Sequence, residues 1–140
     1  MSWPHRKSIL VPIDFSDASF RALDEALTMV GDPSQVHAIH VLPDLDSELA
    51  FMRETFDLEG REVRAETAIR ERLGEKLLGV QVLVRTGVAG DVIASVAEEL
   101  GCDLIVIPSH GRSGISRFFL GSVAERVLRR ATCPVLVLRA

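Results

Sequence analysis

Apolar and polar positions along the chain fall into two alternating patterns. Five short runs rich in Val, Ile and Leu stand out: Ser8 to Ile13, Val36 to Leu42, Val80 to Arg85, Asp103 to Pro108 and Val135 to Arg139. Several are nearly continuous, Leu104-Ile105-Val106-Ile107 most plainly, which suits strands buried on both faces, as in a parallel sheet. Helical spacing fills the gaps. Asp17 to Val30 sets Phe20, Leu23, Leu27 and Val30 on one stripe, with Ser16 as N-cap and Gly31-Asp32-Pro33 as the stop. A long charged helix is predicted from about Glu62 to Leu78, and a third over Val88 to Leu100, ending at Gly101. A fourth follows Gly121, with Ser122 as its cap and Thr132 to Pro134 as its end. Strand and helix alternate, so the predicted class is α/β, a mainly parallel sheet with helices on both faces.

Two segments stand apart. Pro43 to Gly60 is acidic, with Phe51, Met52 and Phe56 interspersed, and forms either a short helix or a flap beside the second strand. The last strand closes the sequence. Placed at a sheet edge it would invite pairing with another chain; placed inside the sheet, or covered by a loop, it would not. The glutamates and arginines of Glu59 to Glu75 read as a solvated helix face with i,i+4 pairs.

Composition narrows the picture. The 140 residues fit one domain spanning 1–140, and a hydrophobic share of 47% supports a sizeable core without staples. The formal net charge of -4 argues against a nucleic-acid backbone as partner, which needs a basic face, but not against a single nucleotide. No apolar stretch approaches the roughly 20 residues that span a membrane. The apolar run after the basic start is too short for a signal peptide. The expected location is the cytoplasm. Cys102 and Cys133 lack a Cys-x-x-Cys spacing and read as small buried hydrophobes rather than a metal site or a disulfide.

Ligands of open parallel sheets bind beyond the carboxyl ends of strands where the strand order reverses. Two strand ends carry distinctive chemistry. The fourth run leads through Pro108-Ser109-His110-Gly111 into Arg112-Ser113-Gly114 and on to Gly121-Ser122. Either this is a phosphate cradle, with glycines letting the main chain approach an anion at a helix N-terminus and Arg112 and Arg117 adding charge, or it is a glycine-rich turn before a capped helix. The first run ends in Pro12-Ile13-Asp14-Phe15-Ser16. Asp14 would repel phosphates, so it serves either the ribose hydroxyls of a nucleotide or a local Asx-turn.

Other chemistry is weaker. His37 and His40 sit three apart on a strand and point to opposite faces, so they make no metal pair. Ser109 and His110 are neighbours in sequence, whose side chains seldom meet as nucleophile and base, and no G-x-S-x-G elbow is present. The Walker pattern and the G-x-G-x-x-G fingerprint are both missing. No catalytic residue and no protein metal site is expected.

At this point the residues resemble a known family, the universal stress proteins. Val11-Pro12-Ile13-Asp14-Phe15-Ser16 is similar to their opening strand and Ile39-His40-Val41-Leu42 to their second. Ser109-His110-Gly111-Arg112-Ser113-Gly114, followed by Leu120-Gly121-Ser122-Val123-Ala124-Glu125, resembles their signature loop. Cys133-Pro134-Val135-Leu136-Val137 resembles their final strand. The resemblance implies an open, Rossmann-like five-stranded sheet of order 3-2-1-4-5, similar to the adenine nucleotide α-hydrolases, which places Asp14 beside the glycine loop. It implies a homodimer through the last strand, Val135 to Arg139. For one branch it implies ATP, with Mg or Mn carried by the phosphates and at most slow hydrolysis. Pro12, Ile13, Val41 and Ile107 then line the pocket, with Val41 by the adenine. Asp14 holds the ribose, and Gly111, Arg112, Gly121, Ser122 and Val123 hold the phosphates. That branch carries G-x-x-G-x9-G-[ST], and its first glycine is replaced here by Pro108, which has no N–H. The loss of one hydrogen bond to a charged group costs roughly 1.5–3 kcal/mol, so weakened rather than abolished binding is expected. The alternative is a dimeric interaction protein that binds no ATP, or another adenylate such as AMP or cyclic AMP.

Overall fold

The computed structural model describes residues 5–44, 58–74, 79–110 and 120–139. Its elements in chain order are β1 (Ile9–Pro12), α1 (Asp17–Leu27), a short 3-10 turn (Pro33–Gln35), β2 (Val36–Leu42), α2 (Leu58–Leu73), β3 (Gln81–Thr86), α3 (Ala89–Glu99), β4 (Leu104–Pro108), α4 (Ser122–Arg130) and β5 (Val135–Leu138). The strands pair in parallel in the order β3-β2-β1-β4-β5, as the resemblance implied. β5 lies at one edge of the sheet.

Both faces of the sheet are covered. Side chains alternate along each strand, so Ile9, Val11, Leu104 and Val106 turn one way. They pack under Ala22, Leu23 and Ala26 of α1 and Ile69 and Leu73 of α2. Leu10, Ile39, Ile105 and Ile107 turn the other way, under Ile93, Val96 and Ala97 of α3 and Ala124 and Val127 of α4. Each fully buried Leu, Ile or Val contributes about 1.5–3 kcal/mol by leaving water, which is why continuous apolar runs were so informative.

Helix ends departed further from expectation. Ser16 does cap α1, its hydroxyl accepting the Ser19 amide at 3.1 Å. But α1 stops at Leu27, where Thr28 closes the last turn by donating its hydroxyl to the Glu25 carbonyl at 2.6 Å. Gly31-Asp32-Pro33 is therefore not the helix stop. Asp32 instead caps the 3-10 turn, accepting the Ser34 amide at 2.8 Å, while Gln35 Oε1 accepts the Asp32 amide at 2.9 Å. α2 begins at Leu58, earlier than its charge pattern suggested. Most of the acidic segment, residues 45–57, and the expected helix end at 75–78 lie outside the described residues. Arg72 ties α2 to α1 by pairing with Asp17 at 2.8 Å and lying over the Phe20 ring at 4.6 Å.

The pairing of β1 with β4 is short. β1–β2 and β4–β5 each run through four residue pairs, but β1–β4 stops after Ile9↔Leu104 and Leu10↔Ile105. Backbone polar groups alternate sides along a strand. The Ile13 amide donates to Ile39 O at 2.7 Å and the Ser109 amide to Leu138 O at 2.8 Å. Odd residues of β1 thus bond outward to β2, and odd residues of β4 outward to β5. The inward-facing nitrogens next in line are those of residues 12 and 108. Both are prolines with no hydrogen to donate. The ladder ends there and the two strand ends part.

Candidate functional site

The strands part where the strand order reverses, and a crevice of about 370 Å³ opens there, within the range usual for small-molecule sites. Ile39 and Val41 of β2, Ile107 and Pro108 of β4 and Ile93 of α3 give it an apolar floor. Pro12, Ile13 and Asp14, leaving β1, form one wall. Gly121, Ser122, Val123 and Ala124, opening α4, form another.

The α4 wall is the start of a helix. Gly121 is the N-cap in an extended conformation, its amide donating to Ser109 O at 2.6 Å. The helix therefore starts one residue earlier than expected. Ser122 is its first residue, not its cap, and the N-cap Gly121 has no side chain with which to close the first turn. The first-turn amides of α4, which have no partner within the helix itself, and the positive end of the helix dipole lie beside the crevice that Gly121 to Ala124 line. α3 packs tightly alongside. A Cβ at Gly90 would lie 2.6 Å from Arg126 Cβ, so only glycine permits this approach. Asp91 receives both Arg126, at 2.7 and 2.9 Å, and Arg130, at 2.7 Å. These cations hold the Asp91 carboxyl below its ordinary range, the Arg126 hydrogen bond foremost.

The β1 wall is a turn fixed from several sides. Asp14 Oδ1 accepts the Ser16 amide at 2.9 Å and also the Ser16 hydroxyl. This is the Asx-turn of the plainer alternative, yet the side chain lines the crevice as well. Phe15 adopts φ 66°, the one positive φ outside glycine among the described residues, a conformation that costs about 1–2 kcal/mol. His40 Nδ1 lies 2.6 Å from the Ile13 carbonyl, and its ring meets Phe15 edge-on with centroids 4.9 Å apart.

Ser109 and His110 do meet, contrary to expectation: Ser109 Oγ lies 3.0 Å from His110 Nδ1. Strand alternation ends at Pro108, so both side chains tuck inward and are 9% exposed. His110 Nε2 has no hydrogen-bond partner among the described residues. Among the same residues no group of three or more His, Cys, Asp or Glu gathers as a metal site. Burial pushes both thiols up, so Cys102 and Cys133 stay protonated.

Eight of the ten expected site residues come together around this crevice: Pro12, Ile13, Asp14, Val41, Ile107, Gly121, Ser122 and Val123. Gly111 and Arg112 lie outside the described residues, as do Gly114 and Arg117. Sequence reasoning missed Ser19, Ile39, His40, Ala89, Ile93 and Ala124 as lining residues. Ile39 was within reach, because it shares a face with Val41. Ala89 and Ile93 were not, since nothing local says that α3 leans over the strand ends.

Comparison with known proteins gives a consistent result. The model of the universal stress protein family matches residues 5–139. Universal stress protein MJ0531 of Methanocaldococcus jannaschii is 32% identical over 141 residues, covering 95% of this chain and 82% of that protein. The solved structure of hypothetical protein MJ0577 superposes with a TM-score of 0.78 at 28% identity, covering 96% of each chain. A universal stress protein in complex with cAMP superposes with a TM-score of 0.57 at 27% identity, covering 96% of this chain and 97% of the other.

Proposed function

We propose, starting from the fact that this chain belongs to the universal stress protein family, that its crevice binds an adenine nucleotide and that the protein acts as a ligand-responsive stress module rather than an enzyme with turnover. The observation that carries this is the meeting of Asp14 and the glycine-led N-terminus of α4 across one crevice. A carboxylate suits ribose hydroxyls, and free helix amides suit phosphates. The two ends of a nucleotide are thus offered opposite chemistry. Val41 and Ile107 provide an apolar seat for the base, with Pro12 and Ile13 beside the ribose. Gly121, Ser122 and Val123 hold the phosphates, joined by Gly111 and Arg112. With ATP, a Mg or Mn ion travels on the phosphates.

A second reading is favoured by Pro108. Its nitrogen faces the crevice without a hydrogen, so a phosphate chain finds one donor fewer there. AMP or cyclic AMP then fits better than ATP, in line with the relative solved with cAMP. For assembly, β5 at the sheet edge supports a homodimer through Val135 to Arg139. None of the described helices is long and apolar enough to cross a membrane, in keeping with action in the cytoplasm.

Calorimetric titration with ATP and magnesium tests the first reading. Saturable binding is expected, weakened roughly ten- to a hundredfold by Asp14→Ala, which removes a charged hydrogen-bond partner. Gly121→Val, which puts a branched side chain into the crevice, weakens it likewise. No heat and no thermal shift at millimolar ATP sinks the reading. Small molecules extracted from freshly purified protein separate the alternatives: recovery of AMP or cyclic AMP in place of ATP selects the second.

A further inference from the structure

His40 lines the crevice but has no role in the nucleotide scheme above. We propose that His40 is a positioning residue whose Nδ1–H holds the Ile13 carbonyl and thereby sets the direction in which Asp14 presents its carboxylate. This rests on the nucleotide reading of the crevice.

Ile13 is where β1 leaves the sheet. Its amide still donates to Ile39 O at 2.7 Å, but the β1–β2 register stops at Pro12↔Ile39. Beyond that pair its carbonyl is taken by a side chain, His40 Nδ1, at 2.6 Å. A carbonyl can only accept, so Nδ1 bears the hydrogen, and it does so whether or not the ring is charged. Adjacent residues of β2 therefore grip both polar groups of Ile13, and the peptide entering Asp14 cannot rotate. The same ring supports the other side of Asp14. It packs edge-on against Phe15, the residue held at φ 66°. A left-handed conformation in a bulky residue persists only when its surroundings impose it. The carbonyl bond before Asp14 and the aromatic contact after it leave the carboxylate one orientation, with Oδ1 on the Ser16 amide at 2.9 Å and the side chain in the crevice.

Two variants separate the donor from the bulk of the ring. His40→Phe keeps an aromatic ring against Phe15 and lacks the hydrogen. His40→Asn places an amide N–H near the position of Nδ1. In the ligand-free protein, Ser16 amide exchange is expected to rise about tenfold in His40→Phe and to return toward wild type in His40→Asn, with the Ile105 amide unchanged in both. For binding, the probes are ATP and 2′,3′-dideoxy-ATP, which lacks both ribose hydroxyls. Wild type is expected to prefer ATP by about tenfold. His40→Phe loses that preference while holding the dideoxy compound within about twofold of wild type, and His40→Asn regains it. Equal weakening toward both nucleotides, or an intact preference in His40→Phe, overturns the proposal, as does unchanged Ser16 exchange. Wild type that binds neither nucleotide defeats the crevice reading instead, and Ser16 exchange then decides the role of His40 alone. His40→Leu replaces His40→Phe if the latter does not fold.

Discussion

The two ends of the β1–β4 pair are built on opposite principles. At the end where the strands begin, Asp103 stitches them together: its carboxylate accepts the Lys7 and Ser8 amides at 3.0 and 3.2 Å, and its own amide donates to Ser8 O at 2.9 Å. At the other end the donors needed for the next rungs are absent, because residues 12 and 108 are both proline. One end has a surplus of partners and the other a deficit, within a span of only a few residues. Tight pairing and an open crevice are thereby assigned to separate halves of one strand pair, so each is expected to be disturbed without the other.

The sharpest way to break that separation is at the stitched end. Asp103→Ala removes two charge-assisted bonds, one of them at a partly buried amide. It is expected to lower unfolding stability by about 2 kcal/mol while leaving nucleotide affinity unchanged. Chemical denaturation beside calorimetric titration checks both halves of that statement; a loss of affinity as large as the loss of stability would show that the two ends are coupled. The open end gives a somewhat smaller effect. The double variant Pro12→Ala, Pro108→Ala supplies both missing hydrogens. The amides of residues 12 and 108 are expected to become protected from exchange as the strands close on each other, and nucleotide affinity to fall about tenfold, or about 1.4 kcal/mol, because a residue-108 hydrogen bonded to β1 is not offered to the phosphates. Unprotected amides would mean that the helices, not the prolines, keep the strands apart.

The smallest effect sharpens the comparison from the side. His37 sits on β2 level with Leu10, beside the last β1–β4 pair, and burial holds its imidazole below the ordinary value. The neutral ring is favoured when folded. Its contribution is therefore complete above about pH 6.5 and is lost as pH falls toward the folded-state value. Because the ring is partly exposed, solvent screening keeps this the smallest of the three effects. Thermal unfolding of wild type and His37→Gln between pH 5 and 7 is expected to show a slightly steeper pH dependence in the wild type. A flatter wild-type profile would contradict the assignment.

Much of this was legible in the sequence for a simple reason. Strands buried on both faces must be apolar throughout, so Leu104-Ile105-Val106-Ile107 announces itself without any partner in view. Asp14, Gly121 and Ser122 were visible because charge, glycine and a hydroxyl stand out beyond strand ends, whereas Val123 came only from the family resemblance. What escaped depended on distance in the chain. Thr28 ends α1 through a hydroxyl bond back to Glu25, which no apolar stripe records. His40 looked like an ordinary strand histidine, because its partner is a carbonyl 27 residues away. Pro12 and Pro108 were in plain sight, but their opposition appears only once the register tells which way each nitrogen faces.

The proline pair also bears on kinetics. A cleft whose walls could bond to each other would spend part of its time zipped shut, and an arriving ligand would wait for rungs to break. Here the backbone offers no such shut state for these two strand ends, so under the proposed nucleotide reading this strand pair is expected to impose no opening step on encounter. Stopped-flow association rates that climb linearly with ligand concentration, without a plateau, are the expected signature.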